Sequence, residues 1–398
     1  MTSANEGSEM RIGIAGAGMV AAVHADAARR AGAVVAGVSA STPSSAAAAA
    51  GRLGALRGFD SSEELVTSDD IDVVHICTPN AAHGPLVRLA LAAGKDVVCE
   101  KPLATTAREA GLLAELAADA GLVAAVPFVN RYHPMAAEAR ARAHVGSPGD
   151  SGTGAPIGSI GPIRLIHGHY LQDWLSEATD GNWRVDAEAG GASRAFADIG
   201  SHWCDLVEWV TGHRIAEVTA IAQTVFDRRP AASAATFSAG PAASGAPAET
   251  IPVTTEDAVQ LMFRTDHGAT GNLTVSQVSP GRKNRLWFEL DGASASIVFD
   301  QENPETLWIG GRRSTVTVHR DAPDLSAAAA GLSAVPAGHG LGYRDCFAAF
   351  TADVYAAVRD RSAPRDFPSF ADAARMARLT EAVLESARTR TWIGVEEQ

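Results

Sequence analysis

The sequence predicts an α/β domain built on a parallel sheet, followed by an α+β domain on a largely antiparallel open sheet. Three observations carry this reading. In the first third, short apolar runs alternate with helical stretches, the rhythm of strand–helix–strand units. After about Pro127 the rhythm gives way to apolar–polar alternation with period two. A chain of 398 residues also exceeds what one hydrophobic core ordinarily serves.

The strand candidates of the first part are "RIGIAGAG", "AVVAGVSA", "IDVVHICTP", "KDVVCEKP" and "LVAAVP", with "ALRGF" a weaker one. Helices are expected over Met19–Ala31, Ser44–Leu53, Pro85–Ala93 and Thr106–Ala120. Pro85 suits a first helical turn, where its missing N–H costs nothing. Gly94 and Gly121 stand where left-handed caps are wanted. Beyond Pro127, "HPMAAEARARAH" reads as a helix and "VGSPGDSGTGAPIGSIG" as a loop. Antiparallel strands are expected in "IRLIHGHYLQ", "EVTAIAQTVF", "DAVQLMFR", "GATGNLTVSQV", "RLWFELDGASASIVFD" and "TLWIG". "DIGSHWCDLVEWVTG" reads as a buried helix closed by Gly212, and two further helical patterns run from Leu341 to Ala387. The Ala/Ser/Pro-rich stretch 229–252 is expected to be a mobile hairpin loop. The boundaries are a disordered leader at 1–9, a dinucleotide-binding domain at 10–127, and a substrate-binding and oligomerisation domain with the C-terminal helices at 128–398.

Composition narrows the function. A formal charge of −13 argues against phosphate backbones and anionic membrane surfaces, so no nucleic-acid or membrane partner is expected. No apolar run is long enough to span a bilayer, and the polar, acidic "MTSANEGSEM" lacks the parts of a signal peptide. The four scattered cysteines form no C-x-x-C pair, which argues against structural zinc and a disulfide framework and fits a reducing cytoplasm.

"GAGMVA", holding Gly16, Gly18 and Ala21 around Met19 and Val20, follows a strand and opens a helix. That is the context in which a glycine-rich turn binds a dinucleotide, its helix N-terminus facing the pyrophosphate. The first domain is therefore expected to be an α/β Rossmann domain holding NAD(P). The acidic residue usual at the end of the second strand is missing; Ser39 and Ser41 stand there instead. Without a carboxylate to repel a 2′-phosphate, the cofactor reading leans towards NADP.

Ligands bind such sheets at the carboxyl ends of the strands. "CTPNAAH" and "CEKP" end two successive strands, so both face the cofactor crevice. Lys101 in that position can stabilise a developing alkoxide. In "ADIGSHWCDL", Asp198 and His202 are four apart and share one face if a single helix includes both. A carboxylate beside an imidazole raises its basicity and orients it for proton transfer. Two other readings compete: a satisfied core histidine, and Asp198 as an N-cap. His202 and Asp205 also resemble a metal pair, but no third ligand follows at metal-like spacing, and no metal is expected.

"GAGMVAAVHADA", "CTPNAAH", "CEKPLA", "NRYHP" and "GGASRAFADIGSHWCDLVEWVTG" occur in this order over residues 11 to about 212. In these motifs the sequence resembles the Gfo/Idh/MocA oxidoreductases. The resemblance implies an NAD(P)-dependent dehydrogenase or reductase of sugars, cyclitols and their derivatives. It gives Lys101 the substrate hydroxyl and nicotinamide region, and makes His202 the general acid/base beside Asp198. It puts Thr78, Pro79, Asn80 and His83 on the shelf from adenosine to nicotinamide. Glu100 points the opposite way from Lys101 if the strand pattern continues, and is read as structural or cofactor-facing rather than as a salt-bridge partner of that lysine. Asn130, Arg131 and Tyr132 match the segment that leads towards the substrate.

"HGHYLQDWLSEATDGNWRVD" is richer in polar and aromatic residues than a plain core strand needs. Sugars bind through aromatic faces and fixed polar groups, which makes Tyr170, Gln172, Trp174, Trp183 and Arg184 candidates. His339 and Tyr343 precede the penultimate helix and are candidates to close the pocket. An open sheet face rich in apolar residues needs covering, and a homo-oligomer is one way to do so. Two other functions remain on the same fold: a non-catalytic cofactor-binding regulator, and an enzyme that cleaves glycosides through transient oxidation by bound NAD.

Overall fold

A computed structural model describes residues 9–144, 159–230 and 250–395. The first eight residues of the expected leader, residues 145–158 of the Gly/Pro/Ser loop, and 231–249 of the Ala/Ser/Pro stretch lie outside the described residues. The chain divides into two compact units. The first comprises Met1–Ala104, Arg108–Pro127 and Phe347–Ala373; the second comprises Thr105–Ala107, Phe128–Cys346 and Ala374–Gln398. Periodicity had placed every C-terminal helix in the second domain, whereas residues 347–373 cluster with the first. Long-range polar contacts hold them there. Arg361 grips Asp96 through two hydrogen bonds of 2.7 and 2.8 Å, and the Tyr355 hydroxyl bonds His75.

The first unit is a parallel sheet of six strands in the order β3-β2-β1-β4-β5-β6. These are β1 Arg11–Ala15, β2 Val34–Ser39, β3 Arg57–Phe59, β4 Val73–Ile76, β5 Asp96–Cys99 and β6 Ala124–Ala125. The order reverses between β1 and β4, the switch point at which doubly wound sheets hold ligands. The helices between them are α1 Met19–Arg30, α2 Pro43–Leu53, α3 Ser62–Thr67, α4 His83–Ala92 and α5 Ala107–Ala120. All were expected except α3, which is too short to show a period. Its start is held by two side chains: the Ser61 side chain accepts from Glu64 N–H, and Glu64 accepts in return from Asp60 N–H. Gly94 and Gly121 adopt the expected left-handed caps, with φ of +71° and +65°.

The second unit carries α6 Pro134–His144 and a nine-stranded sheet ordered β16-β15-β14-β13-β7-β12-β11-β8-β17. The strands are β7 Ile163–Leu171, β8 Ile215–Gln223, β11 Ala258–Thr265, β12 Thr270–Ser276, β13 Arg285–Gly292, β14 Ala295–Asp300, β15 Thr306–Gly311, β16 Thr315–His319 and β17 Ile393–Gly394. Among the described residues of this sheet only the β7–β12 pairing is parallel. A separate antiparallel pair, β9 Arg228–Pro230 with β10 Thr250–Pro252, forms the stem of the expected hairpin. "RLWFELDGASASIVFD", read as one extended segment, folds into the hairpin β13–β14. The short α7 Ala187–Gly190, α8 Ser201–Thr211, α9 Ala327–Leu332, α10 Tyr343–Arg359 and α11 Phe370–Thr389 complete the chain.

One face of this sheet is core: Val259, Leu261 and Phe263 are buried, whereas Gln260, Met262 and Arg264 between them are exposed. Helix α8 contributes Trp203, fully buried, whose ring N–H donates to the Trp287 carbonyl at 2.9 Å. Gly168 permits that packing, because a Cβ there would lie 2.2 Å from the Trp287 carbonyl oxygen and 2.7 Å from the Trp203 ring nitrogen. The four cysteines are free and buried. Among the described residues no helix is long and apolar enough to cross a membrane.

Candidate active site

In the first unit, Gly16 turns the chain away from the end of β1 with φ of +104°. A Cβ there would sit 2.5 Å from the Cys77 carbonyl oxygen at the end of β4, so only glycine lets the two strand ends lie this close. Gly18 then opens α1 without a side-chain cap and without an acid in the first turn, and the space around its Cα is open. The free N–H groups of a first helical turn attract an anion, so the turn fits a dinucleotide pyrophosphate. Met19 is 49% exposed here, whereas Ala21 is buried and packs the helix onto the sheet.

At the end of β2 the structure corrects one expectation. Ser39 is fully buried, and its hydroxyl bonds the Ser62 hydroxyl at 2.9 Å, so it has no surface for a cofactor. Its carbonyl instead accepts the Gly16 N–H. Ser41 is exposed, and Thr42 caps α2 by accepting from Ser45 N–H. Arg52 is the nearest arginine downstream, at the far end of α2, and no arginine lies in the loop itself. From the last turn of α2 its guanidinium reaches back and donates to the Ala17 carbonyl in the glycine turn at 2.6 Å.

The loops after β4 and β5 carry Thr78, Pro79, Asn80, Glu100 and Lys101. His83 is a second correction: its ring is buried, not displayed to a ligand. Nδ1 lies 2.8 Å from the Pro102 carbonyl and Nε2 lies 2.9 Å from the Thr78 carbonyl. The ring therefore joins the two strand-end loops. Burial lowers its pKa despite both carbonyls, and a neutral ring donates to one of them at a time. Lys101 is half-buried and follows Glu100, which accepts from His24 Nε2 at 3.0 Å.

In the second unit, the predicted Asp198/His202 helix is continuous but not uniform. Asp198 lies in a π-helical turn, Phe196–Gly200, which runs directly into α8 carrying His202. Such turns recur at functional sites because they re-aim side chains within a helix. A remote carboxylate pins the start of this run: Glu256 Oε1 accepts from the N–H groups of Arg194 and Phe196 and from the Ser193 hydroxyl. Asp198 Oδ2 accepts from Gln277 at 2.8 Å, and Oδ1 faces Arg184 at 3.5 Å. His202, half-buried, meets the Phe128 ring edge-on at 5.6 Å. Asp205 is held in an ion pair: Arg131 binds it through two bonds of 2.9 and 2.5 Å.

Around Asp198 stand several of the residues expected to meet substrate. Burial, and then the charge of Asp198, push the Tyr170 phenol above its usual range. Its hydroxyl donates to Asn284 Oδ1, which also receives the Gln172 amide, while Gln172 in turn accepts from Trp174 Nε1, each at 2.8 Å. The Arg184 guanidinium stacks on Trp183 at 4.5 Å. Asn130 is half-buried and Tyr132 buried. His339 and Tyr343 are exposed; the His339 ring meets the Pro336 carbonyl of its own turn, and the His339 carbonyl accepts from Arg320 at 3.0 Å. Sequence reading missed Gln277 and Asn284. They follow β12 and precede β13, and only the pairing of both strands with β7 brings them beside it.

A glycine turn at a sheet switch point and an acid–imidazole helix in a second unit define an NAD-binding oxidoreductase. Family comparison agrees. Residues 10–128 match the model of the oxidoreductase family's NAD-binding Rossmann fold, and residues 157–298 match that of a GFO/IDH/MocA C-terminal domain. Levoglucosan dehydrogenase of Pseudarthrobacter phenanthrenivorans is 31% identical over 360 residues, 89% of this chain and 87% of that protein. A crystal structure of an oxidoreductase domain protein from Kribbella flavida superposes with a TM-score of 0.84 at 31% identity, covering 98% of this chain and 100% of that one. A levoglucosan dehydrogenase complex with NADH and levoglucosan superposes with a TM-score of 0.85 at 28% identity, with the same coverage. The chain belongs to the Gfo/Idh/MocA family.

Proposed function

We propose that this protein transfers a hydride reversibly between NAD(P) and a carbinol carbon of a sugar, cyclitol or related polyol. The observation that carries the reading is Asp198, held by Gln277 and Arg184 one helical turn from His202. A fixed carboxylate of this kind serves an imidazole that exchanges a proton. Bound nicotinamide supplies or accepts the hydride at C4. His202 takes the hydroxyl proton in oxidation and returns it to the carbonyl in reduction. The Lys101 ammonium holds the negative charge that gathers on the oxygen in either direction. Gln172, Trp174 and Asn284, tied to one another and to the buried Tyr170 by hydrogen bonds, offer the aromatic surface and fixed polar groups that suit a polyol, in keeping with the sugar-related name of the relative above.

A panel of sugars, anhydrosugars, cyclitols and their keto forms, followed in both directions at the nicotinamide absorbance, tests this. Turnover with at least one polyol or keto form and net change of cofactor is expected. No turnover with any of them, or sugar release without net NAD(P)H, overturns it in favour of a regulator or a glycoside-cleaving enzyme.

For the cofactor, the reading favours NADP. No carboxylate stands at the end of β2, and Arg52 brings a guanidinium to the glycine turn. NADP is expected to bind tighter than NAD, and Arg52→Ala to weaken NADP by about tenfold, the scale of one charge-assisted hydrogen bond, with NAD little changed. Titration by nicotinamide fluorescence measures both, and equal or tighter binding of NAD removes the preference.

A further inference from the structure

Four side chains of the first unit form an unbroken chain of hydrogen bonds that the reaction above does not use. Glu100 Oε1 lies 3.0 Å from His24 Nε2, His24 Nδ1 lies 2.7 Å from His75 Nδ1, and His75 Nε2 lies 2.8 Å from the Tyr355 hydroxyl. They come from the loop after β5, from α1, from β4 and from α10. His24, His75 and Tyr355 are fully buried, and the Glu100 side chain is 13% exposed. Two imidazoles in a dry core are costly unless every polar atom finds a partner, and here each ring nitrogen does.

With His24 a neutral ring, those contacts also fix a direction. A carboxylate only accepts, so His24 carries hydrogen on Nε2. Two Nδ1 atoms in hydrogen-bond contact share one hydrogen between them. With His24 accepting at Nδ1, His75 donates from its own Nδ1 and accepts at Nε2, and Tyr355 donates to it. Burial holds His75 well below the usual imidazole range and pushes the Tyr355 phenol up. A neutral His75 and a protonated Tyr355 are what this direction requires. Every donor points towards Glu100.

We propose that Tyr355, His75 and His24 are positioning residues, whose one-way relay fixes the Glu100 carboxylate and through it the strand end that carries Lys101. The coupling is short: the Lys101 N–H donates to Glu100 Oε2 at 3.3 Å. Glu100 thus takes its orientation from α1, β4 and α10 together, and Lys101 leaves the backbone from a fixed point beside a fixed negative charge. The effect on Lys101 rests on the role proposed for that lysine above; the direction of the relay does not.

Long-range proton–nitrogen correlation of the histidine rings, assigned by substitution and recorded on the protein without cofactor or substrate, tests the direction. His24 is expected as the Nε2–H tautomer and His75 as the Nδ1–H tautomer, the less common form of a neutral imidazole. In Tyr355→Phe, His75 stays Nδ1–H, held by its bond to His24, and its Nε2 resonance shifts as the hydrogen bond from the phenol is lost. Kinetics then test the positioning. Tyr355→Phe and His24→Leu are expected to lower kcat by about tenfold, as the loss of one buried polar contact does, with the substrate KM changed less than twofold. His24→Gln keeps a donor for Glu100 and an acceptor for His75, and retains kcat within about threefold of the parent on the same scale. His75 as the Nε2–H tautomer in the parent protein overturns the relay whatever the substrate proves to be. Equal kcat for His24→Gln and His24→Leu, or an unchanged kcat in Tyr355→Phe, overturns the positioning role.

Discussion

Lys101→Ala lowers turnover by about 10²–10³, the usual cost of removing one group that stabilises charge in the transition state, and leaves cofactor affinity unchanged. His202→Ala costs at least as much in the same assay, because the proton then has no base of matched affinity. The two substitutions separate by rescue. Added small amines restore part of the activity of Lys101→Ala, and imidazole restores part of that of His202→Ala. Asp198→Asn keeps the Gln277 and Arg184 neighbours but loses the charge, and falls between the parent and His202→Ala. Cofactor binding by fluorescence and turnover by absorbance are measured on each variant. Turnover near that of the parent protein in either alanine variant sinks the assignment.

Local rules made much of this molecule legible. Strand ends after alternating elements must face the crevice of a parallel sheet, so "GAGMVA", "CTPNAAH" and "CEKP" could be placed before any coordinates. The i, i+4 spacing of Asp198 and His202 was enough to place them on one helical run, although not to reveal its π-turn. What escaped depends on chain segments meeting from afar. Arg52 is 35 residues from the carbonyl it bonds, Gln277 is 79 from Asp198, and Tyr355 is 280 from His75. Ser39 and His83 were misjudged for a related reason. Hydroxyl and imidazole groups beside a binding loop look like ligand contacts, whereas here their hydrogen bonds are spent inside the protein. The assignment of residues 347–373 to the first unit follows the same pattern, since helical periodicity says which face is apolar and not which sheet receives it.

The same long-range logic predicts the largest effect on stability. Asp257 is fully buried between Arg194 and Arg229, themselves fully buried. Its Oδ1 accepts from both guanidinium groups, and its Oδ2 accepts from Val225 N–H at 2.7 Å. Burial alone would raise its pKa; the Arg194 charge, the Val225 N–H and Arg229 outweigh it and hold the carboxyl below the usual range. Asp257→Ala strands two guanidinium groups without a counter-charge, and is expected to cost about 3–5 kcal/mol in denaturant unfolding. Replacing Arg194, Asp257 and Arg229 together by apolar residues of similar size recovers part of that loss, because the unpaired charges go but the Val225 N–H and the carbonyls that Arg229 served lose their partners. Activity separates from stability in the triple variant. Arg229 also donates to the carbonyls of Leu175, Glu177 and Asp180, and Arg194 begins the helical run that carries Asp198. The triple variant therefore stays folded yet turns over more slowly, since Asp198 and the Trp174 loop lose their anchors. Asp257→Ala as stable as the parent would show that the buried charges are compensated elsewhere, and a fully active triple variant would show that the node does not position the site.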